Sequence, residues 1–192
     1  MIDFDTTNLT GITAESILAI DAGTIVAGEA ATPEGAFGAV FTSRGLARLT
    51  FPDESYTDVE AWPRKLAPEA RVVDEHPALD ALSAQLTAYF EGTLRDFSIP
   101  LDLRGTPFQL AVWQALTEIP YGETRSYGAI ARAIGRPQAS RAVGMANHQN
   151  PVPIVVPCHR VIGSNGTLTG YGGGLLLKAR LLELEGVMLI SA

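Results

Sequence analysis

The 192-residue sequence predicts an α+β protein in two domains, residues 1–103 and 104–192. Three observations predict it. Short β-like runs crowd residues 24–51, helical spacing of apolar residues dominates from residue 77 onward, and the sign of the charge reverses near residue 104. Hydrophobic residues make up 46% and charged residues 18%, the composition of a core-forming chain rather than a disordered one. No apolar run approaches the ~20 residues that span a bilayer. The N-terminus, MIDFDTTNLT, is acidic and lacks the basic-then-apolar order of a secretory signal, so a cytoplasmic protein without membrane attachment is expected.

In the first domain, TIVAG, FGAVFT and LARLTF read as strands, the last two joined by a turn at Ser43-Arg44-Gly45. Residues 53–75 are charged and carry prolines, and read as a loop with some helix. PALDALSAQLTAYFEG, residues 77–92, places Leu79, Leu82, Leu86 and Phe90 at helical spacing, with Gly92 near the C-cap. The pattern breaks between Ile99 and Arg104, where the domains divide.

The second domain opens with Thr106 as N-cap and Pro107 at the first helical position, ahead of FQLAVWQALTEI. Phe108, Val112, Leu116 and Ile119 share one face, and Pro120-Tyr121-Gly122 stops the run. A second helix, SYGAIARAI, runs from Ser126 to Gly135. After Gly135-Arg136-Pro137 a third helix is expected through QASRAVGMAN, with Gln138, Ala139 and Ser140 as a small, polar first turn. Two short helices joined by a tight Gly-containing turn have the outline of a helix-turn-helix.

Charge supports that outline. The net charge of −7 argues against a surface that binds nucleic acid all over. Residues 1–103, however, hold 6 Lys/Arg against 17 Asp/Glu, a net of −11, whereas residues 104–160 hold 6 against 2, a net of +4. The middle segment is therefore the part suited to an anionic partner. Arg125, Arg132, Arg136 and Arg141 fall within it, with Glu123 the neighbouring counter-charge.

One cysteine, Cys158, excludes an intramolecular disulfide and any Cys-rich zinc site, and His76, His148 and His159 are too scattered to suggest a metal. No metal or other cofactor is expected. The run from Asn150 to Val161, NPVPIVVPCHRV, carries most of the chemistry. Ile154-Val155-Val156 reads as a short buried strand ended by Pro157, which sets Cys158 at the exit of a core element. A thiol with a pKa of about 8.5 is only a few per cent thiolate at neutral pH, so it needs a base or a positive field. His159 is adjacent in sequence, and a carboxylate to orient it must come from elsewhere. Glu183 and Glu185 in the last helix are the candidates.

These segments, taken in order, resemble the O6-alkylguanine-DNA alkyltransferase family. The resemblance rests on IPYGET at 119–124, SYG at 126–128, RAVG at 141–144, NP at 150–151, PCHRVIG at 157–163, GTLTGYGGG at 166–174 and LLELEG at 181–186. It implies a small RNase H-like N-terminal α/β domain and a winged-helix-like, mostly helical C-terminal domain with a helix-turn-helix. It also implies the reaction: an alkyl group leaves O6 of a flipped-out guanine, or O4 of a thymine, and ends on Cys158, once per molecule. The partner is double-stranded DNA carrying O6-alkylguanine, with no obligate protein partner. By the same resemblance His159 is the base acting through a water, Glu185 orients it, Asn150 braces the loop, and Tyr127 donates a proton to the leaving purine. Tyr171, Gly172 and Gly173 wall the pocket, Val161 lends backbone groups, and Ser164 stands by the leaving oxygen. Arg141 fills the vacated stack, with Gln138, Ala139, Ser140 and Arg125 also at the DNA. Asn147, where the family often has a more apolar wall residue, bears on the size of alkyl group that fits. Two other classes compete: a binder of alkylated bases, which would lack the cysteine, and a cysteine hydrolase, which would leave the helix-turn-helix unexplained.

Overall fold

A computed structural model describes residues 19–52 and 56–188. The acidic stretch MIDFDTTNLT lies outside the described residues. The chain divides into two compact units, Met1–Asp102 and Leu103–Ala192.

Unit one is a four-stranded mixed sheet in the order β3-β2-β1-β4. Strands β1 (Thr24–Thr32), β2 (Gly35–Thr42) and β3 (Gly45–Leu49) form an antiparallel meander, and β4 (Arg71–Val73) pairs parallel to β1. Between β3 and β4 lies helix α1 (Tyr56–Leu66). Helix α2 (Pro77–Phe90) follows β4 and starts on His76, whose Nδ1 accepts from the Ala78 amide at 3.1 Å. Ile25, Ala27 and Val40 pack against Trp62 and Leu66 of α1. Gly28, of opposite parity, meets Leu79 of α2, where an added Cβ would fall 2.7 Å from the Leu79 side chain. Helices on both faces explain why Ile25 to Gly28 are buried without alternation. At the end of the unit, the Leu46 amide donates to Pro100 O and the Asp102 amide to Leu46 O, at 2.8 and 2.9 Å. Thr42 and Arg44 both bond the Asp102 carboxylate. Gly45, at φ 137°, has the Pro100 carbonyl oxygen 2.2 Å from where a Cβ would stand, so no other residue fits that crossing.

Unit two is mostly helical. Helix α3 (Pro107–Thr117) begins with a complete capping box between Thr106 and Gln109. Helix α4 (Tyr127–Ala133) is capped by Ser126, whose Oγ accepts from the Ala129 amide. Helix α5 (Ser140–His148) and, at the end, α6 (Gly174–Leu184) complete the set. Two-residue strands β5 (Arg125–Ser126) and β6 (Val161–Ile162) pair in parallel. Val112, Trp113, Leu116, Ile130, Val143 and Leu181 are buried in this unit. No helix among the described residues is long and apolar enough to cross a membrane.

Four expectations need correction. Residues 53–75, read as a loop with some helix, hold the helix α1 and also the unexpected strand β4: Pro63 removes one backbone donor inside α1 without ending it, and the parallel pairing of β4 leaves no local pattern. In α2 the inward residue beside Leu86 is Tyr89, fully buried, while Phe90 is half-buried. Helix α5 starts at Ser140, so Gln138 and Ala139 belong to the preceding turn. Finally, Ile154-Val155-Val156 is a tight turn and not a strand, with Ile154 at φ 72° and the Val156 amide donating to Val152 O at 2.9 Å. Burial there was read as strand because a short apolar run looks the same in either conformation.

Candidate active site

The site is built on two segments of unit two. The first is the turn before the cysteine. Asn150, just past α5, closes it with its own amide: Oδ1 accepts from the Val152 amide at 3.1 Å, and Nδ2 donates to Val156 O at 2.8 Å and to Cys158 Sγ at 3.1 Å. A 3-10 turn, Cys158–Arg160, follows directly. At three residues per turn, successive side chains point about 120° apart, so Cys158 and His159 face different walls. Cys158 faces Asn150, while His159 and Arg160 face the second segment.

That segment is α6 with its C-cap. Lys178, Leu181, Leu182 and Glu185 fall at i, i+3, i+4 and i+7, on one face, and all four are buried. Glu185 is the acceptor for the whole cluster. His159 Nε2 lies 2.8 Å from Oε1. Arg160 Nε donates to Oε2 at 2.9 Å and its Nη2 to Oε1 at 3.0 Å, a bidentate pairing. The Gly122 amide donates to Oε2 at 3.2 Å. Arg160 Nη1 also reaches Ile119 O at 2.6 Å, and its guanidinium lies over the Tyr121 ring, whose hydroxyl donates to Leu184 O. The turn at IPYG is thereby fastened to the end of α6. Glu183, the other carboxylate considered, is exposed.

Electrostatics follow from burial. Burial pushes the Cys158 thiol up to about 11 from 9.0, against the pull of the Asn150 hydrogen bond and the Lys178 charge. Burial also lowers His159, outweighing the Glu185 carboxylate that favours its protonated form. His159 is therefore neutral at pH 7. With Nε2–H donating to Glu185, the lone pair sits on Nδ1. The resting site is a thiol beside an oriented neutral imidazole.

Tyr127 opens α4; its hydroxyl accepts from Thr169 Oγ1 at 3.2 Å. Val161 is buried in β6, opposite Arg125 of β5. On the segment between β6 and α6, Ser164 and Gly172 are exposed, and Tyr171 and Gly173 half-buried. Asn147 is 8% exposed on the inner side of α5, and its amide nitrogen and oxygen are shielded with no hydrogen-bond partner. Arg141 and Ser140 are exposed in the first turn of α5; Gln138 is exposed and Ala139 half-buried just before it. Arg125 is exposed and pairs with Glu123 at 2.8 Å. The structure thus brings Cys158, Asn150, His159 and Glu185 into one cluster and leaves the Arg141 group on the surface of the α4–turn–α5 pair.

Two residues escaped sequence reasoning. Arg160 has no role there beyond its place in the PCHRV run. Lys178 is fully buried, with Nζ donating to Val161 O at 2.6 Å and to Thr169 O at 2.8 Å. A lysine seven residues before Glu185, on the same apolar stripe, was the available signal. Among the described residues no group of three or more His, Cys, Asp or Glu could hold a metal ion.

The chain is similar to known proteins in both of its units. Residues 107–187 match the family model for the 6-O-methylguanine DNA methyltransferase DNA binding domain, and residues 25–103 that for its ribonuclease-like domain. The chain is 66% identical over 101 residues to a Mycobacterium bovis methylated-DNA–protein-cysteine methyltransferase, a match covering 53% of this chain and 61% of that protein. With its Mycolicibacterium paratuberculosis namesake it shares 54% over 142 residues, 73% of this chain and 86% of the other. A Mycobacterium tuberculosis OGT crystallised in complex with DNA superposes with a TM-score of 0.71 at 46% identity, over 83% of this chain and 92% of that one. The chain belongs to the methylated-DNA–protein-cysteine methyltransferase family.

Proposed function

We propose that this protein repairs DNA by direct reversal, moving the alkyl group of an O6-alkylguanine onto its own Cys158. The observation that carries the reading is the Cys158 thiol, hydrogen-bonded by Asn150 and followed at once by an imidazole locked onto a buried carboxylate. The family membership and the DNA complex of the Mycobacterium tuberculosis relative support it.

An alkyl carbon on O6 lies inside the base stack, so the nucleotide must turn out of the duplex, at a cost of a few kcal/mol. In the pocket the thiol proton passes through a water to His159 Nδ1, and the sulfur displaces guanine at the saturated carbon. The S–C bond forms as the C–O6 bond breaks. Electrons left on the purine are neutralised by a proton on its ring nitrogen, for which Tyr127 is the donor. Tyr171, Gly172 and Gly173 are assigned to the pocket wall, the Val161 carbonyl to the exocyclic amine, and Ser164 to the leaving oxygen. A carbonyl has two lone pairs, so the Lys178 bond at Val161 leaves one for the base. Arg141 enters the gap in the stack, while Gln138, Ala139, Ser140 and Arg125 border the backbone. Residues 104–192 are thus the DNA-binding and alkyl-acceptor domain, and residues 1–103 its N-terminal partner domain. A reducing cytoplasm suits a protein whose function needs its single cysteine as a thiol.

A thioether has no hydrolytic route back, so the reaction runs once. With excess O6-methylguanine duplex, the protein restores one equivalent of guanine per chain and then stops, and Cys158→Ala restores none. Continued turnover, or guanine restored by the variant, contradicts the reading.

A further inference from the structure

We propose that Asn147 determines specificity in the alkyl pocket: its buried carboxamide bonds a hydroxyl carried on the alkyl chain, so the protein favours 2-hydroxyethyl-type adducts at guanine O6 over hydrocarbon ones of the same size. The inference deepens the function proposed above and rests on it.

Position comes first. Gly144, Asn147 and Asn150 stand three residues apart, so they follow one side of α5 and its exit. A Cβ on Gly144 would lie 3.7 Å from the Tyr127 ring. Asn150 Nδ2 reaches Cys158 Sγ at 3.1 Å, and the Asn150 backbone amide donates to Asn147 O at 3.2 Å. Asn147 therefore falls between the tyrosine assigned to the leaving purine and the sulfur that takes the carbon. Cys158 is covered about as closely as Asn147, 5% against 8% exposed, so an alkyl group that reaches the sulfur parts the packing beside both.

The chemistry follows from what the amide lacks. Both Nδ2 and Oδ1 of Asn147 are shielded, and neither bonds a protein group among the described residues. Its neighbours on the inner side of α5, Val143 and Ala146, are buried and apolar, and Ala146 O is taken by Trp113 Nε1 at 2.8 Å. A buried amide without partners is costly, and packing a hydrocarbon chain against it leaves that cost in place. A hydroxyl removes it, accepting from Nδ2 while donating to Oδ1. A carboxylate only accepts, and would set its charge against Oδ1. The transfer itself is unaltered. The S–C bond forms as the C–O6 bond breaks, the thiol proton leaves through His159, and the purine takes one from Tyr127. The hydroxyl stays on the chain.

The test compares two isosteres on the full chain. Single-turnover rates are measured with duplex DNA carrying O6-(2-hydroxyethyl)guanine or O6-propylguanine, which differ by a hydroxyl in place of a methyl group. Wild-type protein is expected to take the hydroxyethyl group about tenfold faster. Asn147→Leu keeps the shape of the side chain without its bonding atoms, and brings that ratio to about one or below. A merely structural role would slow both adducts alike and leave the ratio unmoved. Equal rates in wild-type protein, or the wild-type ratio retained by the Leu variant, overturn the proposal. Should the variant not fold, wild-type protein labelled with 15N at asparagine decides the matter after each duplex has alkylated Cys158. The Asn147 side-chain amide protons exchange about tenfold more slowly in hydroxyethylated than in propylated protein, and equal exchange overturns the proposal. Failure of the parent reading is distinct: wild-type protein would then take no alkyl group from any O6-alkylguanine duplex, methyl included.

Discussion

Glu185 holds one negative charge against donors from His159, Arg160 and the Gly122 backbone, and the three side chains are buried. Its replacement by Gln keeps the shape and removes the charge. The Arg160 guanidinium is then a buried cation without its carboxylate, a change that costs about 3–5 kcal/mol. His159 also loses the acceptor that fixes its proton on Nε2. Glu185→Gln is therefore expected to lower the urea midpoint of unfolding and to slow transfer from O6-benzylguanine by about two orders of magnitude. An unchanged pH–rate profile in a folded variant would remove Glu185 from the relay. At this scale the sequence was legible where chemistry is local: a cysteine, the histidine after it, and a carboxylate on the last helix. It was silent on Arg160 and Lys178, because long basic side chains are usually solvated and only the tertiary fold decides which of them is enclosed.

The elements explain why the cluster is held so firmly. Asn150 closes the tight turn that carries Ile154 at φ 72°, a conformation disfavoured for a β-branched residue and costing about 1–3 kcal/mol. Its amide then reaches the sulfur, so the turn and the thiol are positioned by one side chain. Caps were readable in advance, as Thr106 and Ser126 show, because a cap depends on residues within one helical turn. Strand β4 and the turn at 153–156 were not, since the first depends on a distant partner strand and the second on a conformation that apolar composition conceals. The start of α5 at Ser140 sets Arg141 in its first turn, exposed, on the surface assigned to DNA. Arg141→Ala is accordingly expected to slow repair in duplex DNA on the order of 10- to 100-fold. Reaction with free O6-benzylguanine should stay within about twofold, since no base stack has to be filled. Equal losses in the two assays would argue against the flipping role.

Across the molecule, charge is divided as the units are. Residues 1–103 carry a net −11 and residues 104–160 a net +4, so attraction to DNA is confined to part of the chain and opposed by the rest. Affinity should therefore fall steeply with salt. Fold class could be read from this division together with the change from strand to helix patterning, whereas the mixed sheet order β3-β2-β1-β4 could not, because periodicity says which face is buried but not which strands are neighbours. The central claim, that the sulfur of Cys158 is the final acceptor of the alkyl carbon, is tested most directly by an isotope. A duplex carrying O6-(trideuteriomethyl)guanine is incubated with the protein, which is then digested and sequenced by mass spectrometry. The account predicts a single trideuteriomethyl thioether on Cys158 and an unmodified guanine in the duplex. Label on another residue, or released as methanol with Cys158 unchanged, would contradict it.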